Sequence, residues 1–138
     1  MPSPAEIARL SWEGLEQDPQ ELHLEYFDES VELLNPPQFP VTGPFRGHEG
    51  VRRWAGEIWE VLSDYHTDIE EQLEPDSETV VDIVRTRGRM RHTGLEADLR
   101  WAVVWRFREG KVVRVEGFFS LRDALRAAGL RDDAGDVR

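Results

Sequence analysis

The chain contains no cysteine, which excludes disulfides, thiolate metal sites and thiol nucleophiles. Lysine is almost missing too. Of 17 basic residues only Lys111 is not arginine, and 28 acids bring the net charge to −11. Nucleic-acid binding draws its affinity from basic groups that displace counterions, so no nucleic-acid partner is expected. Arg85, Arg87, Arg89 and Arg91 alternate along one stretch and read as a solvated face paired with the surplus acids. No apolar run approaches the roughly 20 residues that span a bilayer, so no membrane partner is expected. Proline and glutamate stand near the N-terminus, where a secretory signal carries basic and then apolar residues. These absences lead to the expectation of a soluble, cytoplasmic protein.

Metal and nucleophile signatures are lacking as well. His23, His48, His66 and His92 include no pair at i, i+4, and no HExxH run is present. "HLE" at 23–25 matches half of a zinc deaminase signature, but the cysteines of the other half do not exist here. Ser11, Ser63 and Ser120 have no GxSxG context. No metal site, cofactor or serine nucleophile is expected.

What is present is a clear order of elements. At 138 residues the chain is long enough for one core, read as a single domain over 1–130 with a polar tail over 131–138. "SPAE" at 3–6 is a capping box with proline at the first helical position. "DPQE" at 18–21 repeats the start signal and predicts a second short helix to about Phe27, followed by a brief strand, "SVELL". "NPPQFPVTGPFRG" is a long loop with four prolines, a kind of segment often functional in compact domains. The next helix runs to about Asp64, with Val51, Trp54, Ala55, Ile58 and Leu62 on one face. From Tyr65 on, the pattern changes to four strands with period-two alternation, closed by a short helix, "LRDALRAAG".

"REG" at 108–110 fits a three-residue hairpin loop, which would pair Phe107 with Lys111, Trp105 with Val113 and Val103 with Val115. One sheet face then carries Trp101, Val103, Trp105, Phe107, Val113, Val115, Gly117 and Phe119. The other is charged, apart from an apolar island of Ala102, Val104 and Phe118. Such an island often marks an interface, and a homodimer through the outer sheet face is expected. The three helices are expected to cover the first, apolar face. The fold class is α+β, helices first and an antiparallel meander second.

"YFDESVELLNPP", "GPFRGHEGVRRW", "VVDIVRTRGRMRHTG" and "VWRFREGKVVRVEGFFSLRDALRAAGL" resemble the SnoaL-like, polyketide cyclase-like group of the nuclear transport factor 2-like superfamily. The resemblance implies a cystatin-like roll, a cone-shaped curved antiparallel sheet wrapped on N-terminal helices, with an apolar cavity in the cone. It also implies that several familiar chemistries are absent. Ketosteroid isomerases on this fold use a carboxylate base with a tyrosine and a protonated aspartic acid. The corresponding positions here fall near Asn35, near Ser11 and on Val103. Valine cannot donate a hydrogen bond, and an amide cannot abstract a proton. The water-activating aspartate of limonene epoxide hydrolases corresponds to Gly117.

The expected function is binding of a small apolar molecule in the cone, with Trp12, Asn35, Trp54, Trp101, Trp105 and Phe119 as ligand-binding residues. The alternative is a small cyclase- or isomerase-type enzyme. Asp82, between Val80 and Val84 on its own strand face, is the candidate catalytic acid–base because apolar surroundings raise a carboxyl pKa toward neutrality. Glu96 is the second candidate. Tryptophan at helical or strand spacing also fills cores, so the same residues suit a packed interior.

Overall fold

The computed structural model describes residues 2–18, 22–39 and 43–130. Helix α1 (Pro4–Gln17) starts at the anticipated capping box: the Glu6 backbone N–H donates to Ser3 Oγ at 3.2 Å, and the Ser3 N–H to Glu6 Oε1 at 2.9 Å. Within the described residues, the expected second helix is reduced to one 3-10 turn, Leu24–Tyr26, and Phe27 already opens strand β1 (Phe27–Leu34). The rest of its "DPQE" start, 19–21, lies outside the described residues, as does the 131–138 tail. A two-residue strand β2 (Phe45–Arg46) leads into helix α2 (Gly47–Val61). Strands β3 (Leu62–Asp76), β4 (Thr79–Met90), β5 (Glu96–Arg108) and β6 (Lys111–Phe118) follow, then helix α3 (Leu121–Ala127).

The six strands form one sheet in the order β2-β1-β6-β5-β4-β3. The last four make the expected antiparallel meander. The sheet as a whole is mixed, because β1 lies parallel to β6, with Leu33 opposite Val115. That pairing needs a long crossover, which α2 and the three long strands provide.

The hairpin register differs from the expected one. Glu109 and Gly110 both have positive φ, 53° and 79°, the geometry of a two-residue type I′ turn. Arg108 therefore pairs with Lys111, and a bulge after Arg106 brings Trp105 opposite Val115 and Val103 opposite Gly117. Trp101, Val103, Trp105 and Phe107 are all buried in the main core, as their shared parity requires. On β6, however, Val112 takes the core position foreseen for Val113.

Helices α1 and α2 pack on the concave face and bury Ile7, Trp12, Leu15, Val51 and Ile58 against it. Helix α3 does not join them. It covers the opposite face, where Val81, Ala102, Val104 and Ala124 are buried together, with Phe118 and Leu121 packed alongside. Arg106 ties its end by donating from Nη2 to the Ala127 carbonyl. The island of Ala102, Val104 and Phe118 is thus a small second core inside one chain, which removes the ground for expecting a homodimer through it. Beyond α3 the outer face is ionic: Arg85 pairs with Asp98 at 2.6 Å, Arg87 with Asp68 at 3.0 Å and Arg100 with Glu70 at 2.8 Å.

Candidate functional site

The concave face, α1 and α2 converge on a cavity of about 30 Å³. Helix α1 contributes Ser11, Trp12 and Leu15; α2 contributes Val51 and Trp54. The floor is Trp101, Val103 and Trp105 of β5 with Val115 and Gly117 of β6, and Leu22, Leu34 and Asn35 are among the residues that complete the wall. The lining is apolar except for Ser11, Asn35 and the indole N–H groups. Ser11 is already engaged, its hydroxyl donating to the Ile7 carbonyl at 2.8 Å.

Polar side chains behind the wall hold the tryptophans. Trp12 Nε1 donates to Asp82 Oδ2 at 3.0 Å, and Trp101 Nε1 to Thr86 Oγ1 at 2.9 Å. Asp82 and Thr86 stand on β4 four residues apart, so both point to the same side of the sheet. Trp54 Nε1 donates to Asn35 Oδ1 at 3.3 Å. Trp12 meets both Trp101 and Trp105 edge to face, with ring centroids 6.0 Å apart in each pair, a favoured aromatic geometry. Burying about 200 Å² per ring contributes several kcal/mol each.

Gly117 explains where Trp101 goes. A Cβ on residue 117 would stand 2.5 Å from the Trp101 ring and 3.2 Å from Pro36 Cδ. The indole therefore occupies the volume a side chain at 117 would need. This packing leaves no room for a carboxylate at that position.

Asp82 has no solvent exposure. Gln72 Nε2 donates to its Oδ1 at 2.8 Å while also reaching the Ala5 carbonyl at 3.2 Å. Burial raises the carboxyl pKa to about 6; hydrogen bonds from Trp12 and Gln72, and the nearby Trp105 indole, keep it from rising further. The carboxylate sits behind the wall and does not line the cavity. Gln72 was not singled out from the sequence. Counting back from the β3–β4 turn puts Leu73 opposite Asp82, but a bulge between Leu73 and Asp76 shifts Gln72 into that place.

Of the other sequence candidates, Trp12, Asn35, Trp54, Trp101 and Trp105 come together around the cavity. Phe119 does not. Strand β6 ends one residue earlier, and Phe119 is 38% exposed, with its ring 6.3 Å from that of Phe39. Glu96 is exposed at the start of β5, opposite Arg89. His66 bridges Glu16 and Asp68 at the β3 edge. No cluster of three or more metal-ligating side chains occurs among the described residues, and no described helix is long and apolar enough to cross a membrane.

Residues 9–115 match the family model of the SnoaL-like domain. The chain belongs to this family. The SnoaL-like chain also shares the nuclear transport factor 2-like fold with solved structures. A protein of that fold from Burkholderia thailandensis E264 aligns at 25% identity and a TM-score of 0.74, over 86% of this chain and 91% of its own. A hypothetical protein with a ketosteroid isomerase-like fold from Catenulispora acidiphila DSM 44928, solved in complex with trimethylamine, aligns at 16% identity and a TM-score of 0.73, over 96% and 98%. A Mycobacterium tuberculosis protein in complex with estradiol-17beta-hemisuccinate aligns at 16% identity and a TM-score of 0.70, over 87% and 96%. A search of curated proteins finds no match.

Proposed function

We propose that this SnoaL-like domain is a binding module that holds one small apolar molecule in the cone, without chemistry of its own. The observation that carries the reading is the wall. It is apolar and tryptophan-rich, and three of its four indoles are held by hydrogen bonds that they donate to groups behind it or at its rim. Pockets for small ligands combine apolar, aromatic walls with a few placed polar groups. Structural neighbours hold small molecules, trimethylamine in one case and a steroid ester in another. The lining also lacks a free base or nucleophile among the described residues: Ser11 is bonded within its helix, and both Asp82 oxygens accept hydrogen bonds behind Trp12. The binding unit is the single domain over 1–130, whose described strands all share one sheet.

The cavity of about 30 Å³ holds a water or two, whereas a cavity of about 150 Å³ takes benzene. A ligand of that size enters by moving the wall. Trp54 is the side chain that yields. It is half-buried, and its bond to Asn35 is the longest of the tryptophan hydrogen bonds. Trp12, Trp101 and Trp105 are buried and stay.

Isothermal titration with benzene tests the reading. The wild type should bind one equivalent saturably, with the negative heat-capacity change of apolar burial. Val115→Phe, which fills the cavity, should weaken binding at least about tenfold, since overpacking leaves no space for the probe. A wild type that takes up no benzene rejects the pocket.

A further inference from the structure

Beside the cone cavity of about 30 Å³ lies a larger cleft of about 240 Å³, whose described lining is Leu34, Asn35, Pro36, Pro37, Gly43 and Pro44. Leu34 and Asn35 line the cone cavity too, so they form a wall shared by the two spaces. Pro36 also adjoins the cavity floor: a Cβ on Gly117 would stand 3.2 Å from its Cδ. The start of the proline-rich loop is fixed on the cone. The Phe39 N–H donates to the Pro36 carbonyl at 3.0 Å, and the buried Phe39 ring stacks on Trp101 with centroids 5.0 Å apart. Prolines restrict the backbone and bring no N–H of their own. The cleft is therefore shaped before anything enters it, and its wall is mainly apolar.

Resting on the binding reading above, we propose that the ligand is elongated: an aromatic ring seated among the indoles of the cone, with an unbranched apolar chain that crosses the shared wall into the proline-lined cleft. The crossing point is where the wall is held least firmly. Asn35 closes it by accepting from Trp54 Nε1 at 3.3 Å, and Trp54 is only half-buried. When Trp54 yields to admit a ring, that bond opens and the cone becomes continuous with the cleft. Volume argues against a compact ligand. Sites for small molecules usually measure about 300–1,000 Å³; the cone alone is far below that range, whereas the cleft approaches it. The two surfaces sort the two parts. Indole edges and faces suit an aromatic ring, while proline rings without N–H groups offer methylenes an apolar surface on which to leave water. The ligand class is therefore an arylalkane rather than a bare ring.

Benzene, ethylbenzene and n-butylbenzene form the probe series, titrated into the wild-type protein, so no variant has to fold. A fully buried methylene is worth about fourfold in affinity, and the series should gain at least about twofold per methylene. In isotope-filtered NOE spectra of the n-butylbenzene complex, the terminal methyl should contact ring protons of Pro36, Pro37 or Pro44. The aromatic protons should contact Trp12, Trp101 and Trp105. Benzene that binds while affinity stays flat or falls along the series overturns the proposal and leaves the pocket intact. A terminal methyl that contacts the α1 side of the cone, or a ring that lies at the prolines, overturns it as well. Failure of all three probes to bind rejects the pocket and this proposal together.

Discussion

Asp82→Asn should change how stability depends on pH, and the structure gives both sign and size. The carboxyl is fully buried, and burial raises its pKa from 3.8 to about 6. Below about pH 3 it is protonated in both folded and unfolded chains. Between pH 4 and 6 the unfolded chain loses the proton while the folded chain retains it, so stability falls as pH rises through that window. At about 1.4 kcal/mol per pH unit the loss totals roughly 3 kcal/mol, complete by about pH 7. Asparagine has the same shape and no charge to desolvate, so the variant escapes the loss. The exposed acids Asp28, Asp68, Glu70 and Asp98, held below their ordinary pKa by hydrogen-bonded partners, act in the opposite direction, but they are common to both proteins and cancel in the difference. Urea denaturation of both at pH 4, 5, 6 and 7 gives that difference directly. The variant should gain about 2 kcal/mol on the wild type from pH 4 to 7, whatever the constant offset from setting an amide against Gln72. A difference that stays flat, or that favours the wild type as pH rises, would refute the assignment of Asp82 as a desolvated carboxylate.

Other perturbations follow from the packing. Gly117→Ala places a Cβ against the Trp101 ring and should cost about 1–3 kcal/mol by overpacking, read from the denaturation midpoint. Trp54→Ala should cost about 2 kcal/mol, less than the 3–5 of a fully buried tryptophan, because Trp54 is half-buried at the mouth; a loss in the full range would make it core instead. Ala124, on the inner face of α3, is completely buried. Ala124→Asp should detach the helix, expose Val81, Ala102 and Val104, and produce concentration-dependent self-association in sedimentation velocity. A variant that sediments like the wild type would contradict the assignment of α3 as the cover of that face.

Much of this architecture is legible in the sequence because it rests on local signals. The capping box at Ser3, the period-two runs of β4 to β6 and the positive-φ glycine of the last hairpin each specify their element without help from the rest of the chain. The inward direction of Trp101, Val103 and Trp105 survives the wrong loop length because parity along β5 does not depend on its partner. On β6 the bulge exchanged Val113 for Val112, and nothing local announces a bulge. The side of the sheet that α3 covers was hidden for a different reason. An apolar island of Ala102, Val104 and Phe118 looks the same whether a second chain or the chain's own last helix is to cover it. The site divides along the same line. Which tryptophans converge follows from periodicity, whereas their distance from closing the cone is a matter of volume. The grip of Asp82 on Trp12 spans 70 residues, and the contribution of Gln72 depends on a strand irregularity. Phe119 was misplaced by extending the alternation one residue past the end of β6.

In the proposed binding mode, the cone of this SnoaL-like domain admits an apolar molecule among four particular indoles. The chain has five tryptophans, and only Trp59 does not line the cavity. Its N–H is turned to the Leu15 carbonyl at 2.6 Å. Titration with benzene, followed on the five indole cross-peaks of a ¹H–¹⁵N spectrum, therefore carries its own control. Trp12, Trp54, Trp101 and Trp105 should shift saturably with a single dissociation constant, and Trp54 should move furthest, while Trp59 stays in place. Five indoles that remain still in benzene-saturated buffer, or that drift together without saturating, would show a cone closed by its own tryptophans and contradict the account.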